Sequence, residues 1–361
     1  MIEAHGQASN VEPQHDSRRV ARRAFVTTLV AVSTIVAALA LWKLRVVVAL
    51  LLSAVTISAA MRPGVEWLAR RRVPRVVGIL AHYLAFLGLV ALFLSFVVPR
   101  LTTEIQTALT VKPKAHAGGG IKAKLLNEVA RRLHHLPAAS SLVHPALTLG
   151  EEALKVLVAI LFTFAAAAYW LFERDQAVDL VASLVARPKR KKLRDTWELI
   201  EAKLGAFIRG QLVMIVFVCT VASTLFVSVG EPYWLLIGIG TGILEVVPVV
   251  GPAVAIALAA GAGLTASWHV AAAAGGGLLA IRMLQDYVVS PRVLGGAVGL
   301  PPLVVLVSVT CVTILFGSFY VLLSVPIASL VVTIVDVVVR GVDPAETPVP
   351  AVLFPAKDAD S

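Results

Sequence analysis

Five apolar runs, Phe25–Trp42, Val46–Ala60, Val76–Val98, Leu154–Phe172 and Phe207–Val229, constrain this chain more than any other feature. Each approaches the roughly 20 residues that an α-helix needs to cross the hydrocarbon of a bilayer. There, every backbone N–H and C=O must find a partner inside the protein, and a continuous apolar run meets that demand as a helix. Composition agrees: the chain is 58% hydrophobic and 15% charged, where a soluble domain carries about 25% charged residues. The expected fold class is all-α, a polytopic transmembrane helical protein. In its carboxyl half, Gly and Pro interrupt the apolar runs and predict broken or re-entrant helices.

The formal net charge of +10 could suggest nucleic acid, but its distribution argues for topology. Arg18, Arg19, Arg22 and Arg23 precede the first run. Arg62, Arg70, Arg71, Arg72 and Arg75 follow the second, and Arg187, Lys189, Arg190, Lys191, Lys192 and Arg194 follow the fourth. Basic residues at every second crossing are what the positive-inside rule requires. The amino terminus and both basic loops are therefore expected on the cytoplasmic side, residues 101–150 outside, and nucleic acid is not an expected partner.

This arrangement predicts a disordered cytoplasmic segment over residues 1–23, a transmembrane domain over 24–340 and a disordered, Pro-rich tail over 341–361. Within the domain, residues 101–150 form an extracytoplasmic segment, with Gly118-Gly119-Gly120 ahead of an amphipathic stretch, Ile121–Leu136. Residues 173–206 form a cytoplasmic amphipathic segment; Trp197, Ile200, Leu204, Phe207 and Ile208 keep a helical period, so Leu193–Arg209 is expected to be an amphipathic helix running into the next span. The first apolar run exceeds the core of a signal peptide, and a second follows at once, so it reads as a span. Leu303–Val339 is too long for one untilted span and is expected to fold as a hairpin divided at Gly317 and Pro326.

Glu245 stands in the apolar stretch LLIGIGTGILEVVPVVGP. An ionisable group at the bilayer centre costs about 2.5–3.5 kcal/mol or more, and Pro248, Gly251 and Pro252 predict freed carbonyls beside it. Such interruptions are tolerated where backbone is buried or lines a cavity. A second polar group combines Gln285 and Asp286 with Pro291 and Arg292; Arg282 lies one helical turn before Asp286, and Pro291 is expected to break the helix. Together they form a candidate substrate or ion path. Gly238, Gly242, Gly295 and Gly299 have small-residue spacing suited to close helix packing, which also makes homo-oligomer formation an expectation. Cys219 and Cys311 lie in apolar runs, and the absence of CxxC and HExxH predicts neither disulfide nor metal site. No phosphate-binding loop or nucleophile elbow occurs, so neither a cofactor nor an enzyme activity is expected.

Pro74-Arg75, Gly210-Gln211, Gly230-Glu231-Pro232-Tyr233, EVVPVVGP from Glu245, QDYVVSPRVLGGAVGLPPLVVLVS from Gln285 and FGSFYVLLSVPIAS from Phe316 resemble, in order and spacing, the autoinducer-2 exporter family of bacterial membrane transporters. The resemblance covers about residues 25 to 340 and implies a transporter of about eight spans in the bacterial inner membrane. Some members of that family are linked to efflux of a quorum-sensing signal, others to sodium/proton exchange. The chain departs from the family pattern at Tyr320, where a second glycine is usual.

The leading expectation is a secondary transporter that exports a small polar solute, with the bilayer and a small molecule or ion as its partners. A sodium/proton antiporter is the first alternative. A membrane scaffold that binds partners through its loops, with structural intramembrane charges, is the alternative from another class.

Overall fold

The computed structural model describes residues 14–110, 143–248, 250–293 and 300–349, which are mostly helical and contain no strand. Two compact units are present, Met1–Val48 and Ala49–Ser361. The first contains α1 (Gln14–Lys43) and the opening turn of α2 (Arg45–Arg70). There the Arg45 guanidinium lies 5.0 Å from the centre of the Trp42 ring. Helix α1 starts inside the stretch that polarity alone assigned to the amino-terminal segment.

In the larger unit, the remainder of α2 is followed by α3 (Arg75–Thr110), α4 (Val143–Ser183) and α5 (Arg190–Ser228). Then come α6 (Trp234–Leu244), α7 (Val250–Ala266) and α8 (Trp268–Leu284). A π-helical stretch, Gln285–Val289, leads into a helical turn at Ser290–Val293. The chain closes with α9 (Pro302–Phe316), a 3-10 turn at Ser318–Leu323 and α10 (Ser324–Val338). Arg45–Arg70, Arg75–Glu104, Leu154–Ser183, Arg187–Ser228 and Tyr320–Val338 are long and apolar enough to cross a membrane. Leu80, Leu84 and Leu87 on α3, and Leu154, Leu157 and Leu161 on α4, are exposed, as expected of helices that face lipid.

Pro63 lies inside α2, where a proline removes one intrahelical N–H and frees the carbonyl four residues earlier. That carbonyl belongs to Ala59. The Arg209 guanidinium of α5 donates to Ala59 O at 3.4 Å and to Ala60 O at 3.2 Å. Gly205 permits the approach, since a Cβ there would lie 2.3 Å from Ala59 O. Helices α3 and α4 meet through Tyr83, whose hydroxyl donates to Phe164 O at 2.8 Å and whose ring meets Phe164 edge-on.

Helices α5 to α8 share a core of small side chains, with Ala222, Ala255, Ala259 and Ala274 closed by Phe226 and Leu278. Gly238 and Gly242 face α5: a Cβ on either would lie 2.1 Å from Ser223 Oγ or Cys219 Sγ. Helix α6 has 11 residues, a rise of about 16 Å, against about 30 Å of hydrocarbon. It is too short to cross alone, and with α7 it forms a hairpin. Gly251 seals the turn, because a Cβ there would come within 1.8 Å of Leu244 O.

The structure revises the expected break at Pro291. The helix runs through it: Ser290 N–H donates to Gln285 O, five residues back, and the widened turn gives the proline ring room that an α-turn denies it. The final hairpin turns at Gly317, whose φ is 100°. Pro326, by contrast, falls in the first turn of α10, where no intrahelical donor is lost. Tyr320 sets its ring edge-on to Phe316, with centroids 6.3 Å apart. Gly118-Gly119-Gly120, Ile121–Leu136, Gly295, Gly299 and the end of the tail lie outside the described residues.

Candidate functional site

Glu245 follows the last residue of α6 and occupies the turn of the α6–α7 hairpin. Its carboxylate Oε1 accepts from Arg282 Nη1 at 2.8 Å and from Gln285 Nε2 at 2.5 Å. Its main-chain carbonyl accepts from Gln211 Nε2 of α5 at 3.2 Å. Arg282 also donates through Nε to Asp286 Oδ2 at 2.9 Å. One guanidinium therefore bridges two carboxylates, and the group carries a net charge of −1 when all three are ionised.

Burial is graded across the group. Gln285 is buried at 4% exposure, the Glu245 side chain is 11% exposed, Arg282 is 28% and Asp286 is 47%. The inner carboxylate is bonded on two sides, and the outer one keeps an accessible face. Gln211 lies ten residues beyond Glu201 on α5, about 15 Å along the axis, and one helical turn inside the apolar run that starts at Phe207. The π stretch begins at Gln285, and π segments recur where helices are locally reshaped around function.

Of the residues singled out in the sequence, Glu245, Gln285 and Asp286 are brought together by Arg282. Pro248, Gly251 and Pro252 form the hairpin turn and the first turn of α7. Pro291 and Arg292 lie on the following helical turn with exposed side chains, and Arg292 makes no ion pair among the described residues. Arg282 and Gln211 join the site through contacts 37 and 34 residues away along the chain. Only the i,i+4 relation of Arg282 to Asp286 was legible beforehand.

Three further carboxylates are prominent. Glu201, 3% exposed, accepts from Arg174 Nε at 2.6 Å, Arg62 Nη1 at 3.2 Å, Trp170 Nε1 at 3.1 Å and Trp197 Nε1 at 3.0 Å. This ties α2, α4 and α5 at the Arg/Lys-rich end. Glu104, on α3, accepts from the Leu235 and Leu236 amides at 3.3 and 2.9 Å, satisfying donors that the start of α6 leaves open. Glu231, between α5 and α6, is buried with no hydrogen-bond partner on either carboxyl oxygen. Among the described residues no cluster of metal-ligating side chains occurs.

Residues 30–340 match the AI-2E family transporter profile. YrrI of Bacillus subtilis (strain 168) is 25% identical over 289 residues, covering 76% of this chain and 82% of its own. MT0215 of Mycobacterium tuberculosis (strain CDC 1551 / Oshkosh) is 27% identical over 316 residues, covering 83% and 85%. YueF of Bacillus subtilis (strain 168) is 23% identical over 289 residues, covering 73% and 77%. Each bears a provisional transport-protein name. The profile spans the α6–α7 hairpin, the Arg282 bridge and the Glu201 tie. This multi-pass membrane protein with a role in transport belongs to the AI-2E transporter family.

Proposed function

We propose that the protein is a secondary transporter that exports a small polar solute, of the class to which quorum-sensing signals belong, across the bacterial inner membrane. The observation that carries this reading is the Glu245–Arg282–Asp286 bridge at the turn of the apolar α6–α7 hairpin. Isolated, each charge would cost several kcal/mol in an apolar bundle; pairing offsets much of that and leaves Asp286 partly accessible. The path runs between the turn at Glu245, Pro248, Gly251 and Pro252 and the segment carrying Gln285, Asp286, Pro291 and Arg292. A solute with hydroxyl or amine donors would meet Asp286 first and then compete with Arg282 for the two carboxylates. The reading assigns no enzyme activity and no nucleotide requirement, since the sequence carries no phosphate-binding loop.

Two carboxylates on one guanidinium also favour a second reading, sodium/proton exchange, because the surplus negative charge suits a cation. Purified protein in sealed, nucleotide-free liposomes separates the two, with autoinducer-2 and sodium ion as probes, with and without a pH gradient. Glu245→Gln retains shape and removes charge. It is expected to insert normally and to lose transport at least about tenfold, equivalent to about 1.4 kcal/mol. Movement of autoinducer-2 that is lost in the variant supports export; sodium flux tied to the pH gradient and lost in the variant supports exchange. Wild-type rates with an unchanged pH profile in Glu245→Gln would remove this site from the mechanism.

A further inference from the structure

We propose that Glu231 is a proton-binding site at the end of the bundle opposite the Arg/Lys clusters, and that its protonation holds the α7–α8 turn closed. This inference is independent of the transport reading. Glu231 is 3% exposed, and both carboxyl oxygens are buried without a hydrogen-bond partner. Its backbone is fixed by a 2.9 Å bond from its own N–H to Phe226 O, at the end of α5. The carboxyl enters a slot opened by Gly263: a Cβ there would lie 2.9 Å from Glu231 Oε2 and 2.6 Å from Ala271 Cα. The site is thus walled by the end of α5, α7 and the start of α8.

None of these walls supplies a counter-charge. Helix α7 has no titratable side chain. On α8 the titratable side chains are His269, exposed with its ring tilted against Trp268, centroids 3.7 Å apart, and Arg282, which is committed to Glu245 and Asp286. On the α6 side stand Tyr233 and Glu104, the latter bonded to the Leu235 and Leu236 amides. Among the described residues Glu231 has no ion pair. An ionised carboxylate in such a slot is strongly unfavourable, whereas a neutral carboxyl, though unbonded, costs far less.

Burial pushes the Glu231 carboxyl up to about 7. A carboxyl raised in the closed state favours closure at low pH. That preference is lost as pH climbs from the ordinary carboxylate range through about 7 and then levels off. The proton enters and leaves only when the α7–α8 turn parts from the α5–α6 turn.

The test is hydrogen–deuterium exchange over residues 260–272 in the purified full chain, with wild type and Glu231→Gln compared at each pH so that intrinsic exchange cancels. At pH 5 the two should exchange alike; at pH 8 the wild type should exchange about tenfold faster or more, while the variant stays protected. If the variant fails to fold, the wild type alone decides, through exchange in 260–272 relative to 214–226 between pH 5 and 8. A rise in that ratio of about tenfold supports the site. Equal exchange in wild type and variant at both pH values, or an unchanged ratio in the wild type, would overturn it.

Discussion

Replacing Glu201 with Ala removes the acceptor shared by two guanidiniums and two indoles. Its side chain is 4% exposed, and those of Arg62 and Arg174 are 21% and 15% exposed, so water replaces the lost bonds only in part. Removing one partner of a buried ion pair costs about 3–5 kcal/mol. Two orphaned indole N–H groups each cost about 1–3 kcal/mol when counted alone, but within one network the losses overlap. A total of about 3–5 kcal/mol is therefore expected. Glu201→Gln keeps one oxygen and turns an NH2 toward either the arginines or the tryptophans, so roughly half that loss should follow. Trp170 and Trp197 stack with centroids 5.8 Å apart beside the carboxylate, so tryptophan emission reports the site directly. Unfolding of the purified protein in mixed micelles, followed by that emission, should rank wild type above Gln above Ala. If Glu201→Ala unfolds within about 1 kcal/mol of wild type, the network belongs with solvent-screened surface pairs, and the reasoning fails.

Two other outcomes are expected. Arg209→Met should destabilise by about 1–3 kcal/mol by orphaning the Ala59 carbonyl; adding Pro63→Ala, which restores an N–H to that carbonyl, should recover a measurable part in the same unfolding assay, and full additivity would disprove the link. In intact cells, a membrane-impermeant thiol reagent should label a cysteine placed at Gly119 and spare one placed at Arg190 until the membrane is opened; the reverse pattern would invert the proposed topology.

The class of fold was legible because apolar run length is a local property, and the five long apolar helices include every early run except the first. The site was legible only in pieces. Glu245 attracts notice as a charge in an apolar stretch, yet its partner Arg282 depends on how the α6–α7 hairpin registers against α8, which no local spacing encodes. Glu201 reads in the sequence as one more charge on an amphipathic helix. It becomes a buried hub only when Arg62 and Arg174 arrive from α2 and α4. Glu231 was visible as part of a Gly-Glu-Pro-Tyr turn, where an acidic residue ordinarily signals exposure; the missing information was the slot that Gly263 leaves for it. Pro291 misled because a proline's clash was assumed to end a helix, whereas a wider turn also relieves it.

The π stretch at Gln285–Val289 also governs how this part of the chain can change length over evolution. A π turn holds one residue more than the α-turn it replaces, and each residue advances the helix by about 100°. Deleting one residue within the stretch would therefore restore regular winding with Arg292 kept near its present face, while removing the wide turn that gives the Pro291 ring its room. Relatives that align across this segment with a single-residue gap should lack a proline at the position of Pro291 and keep the inner bridge.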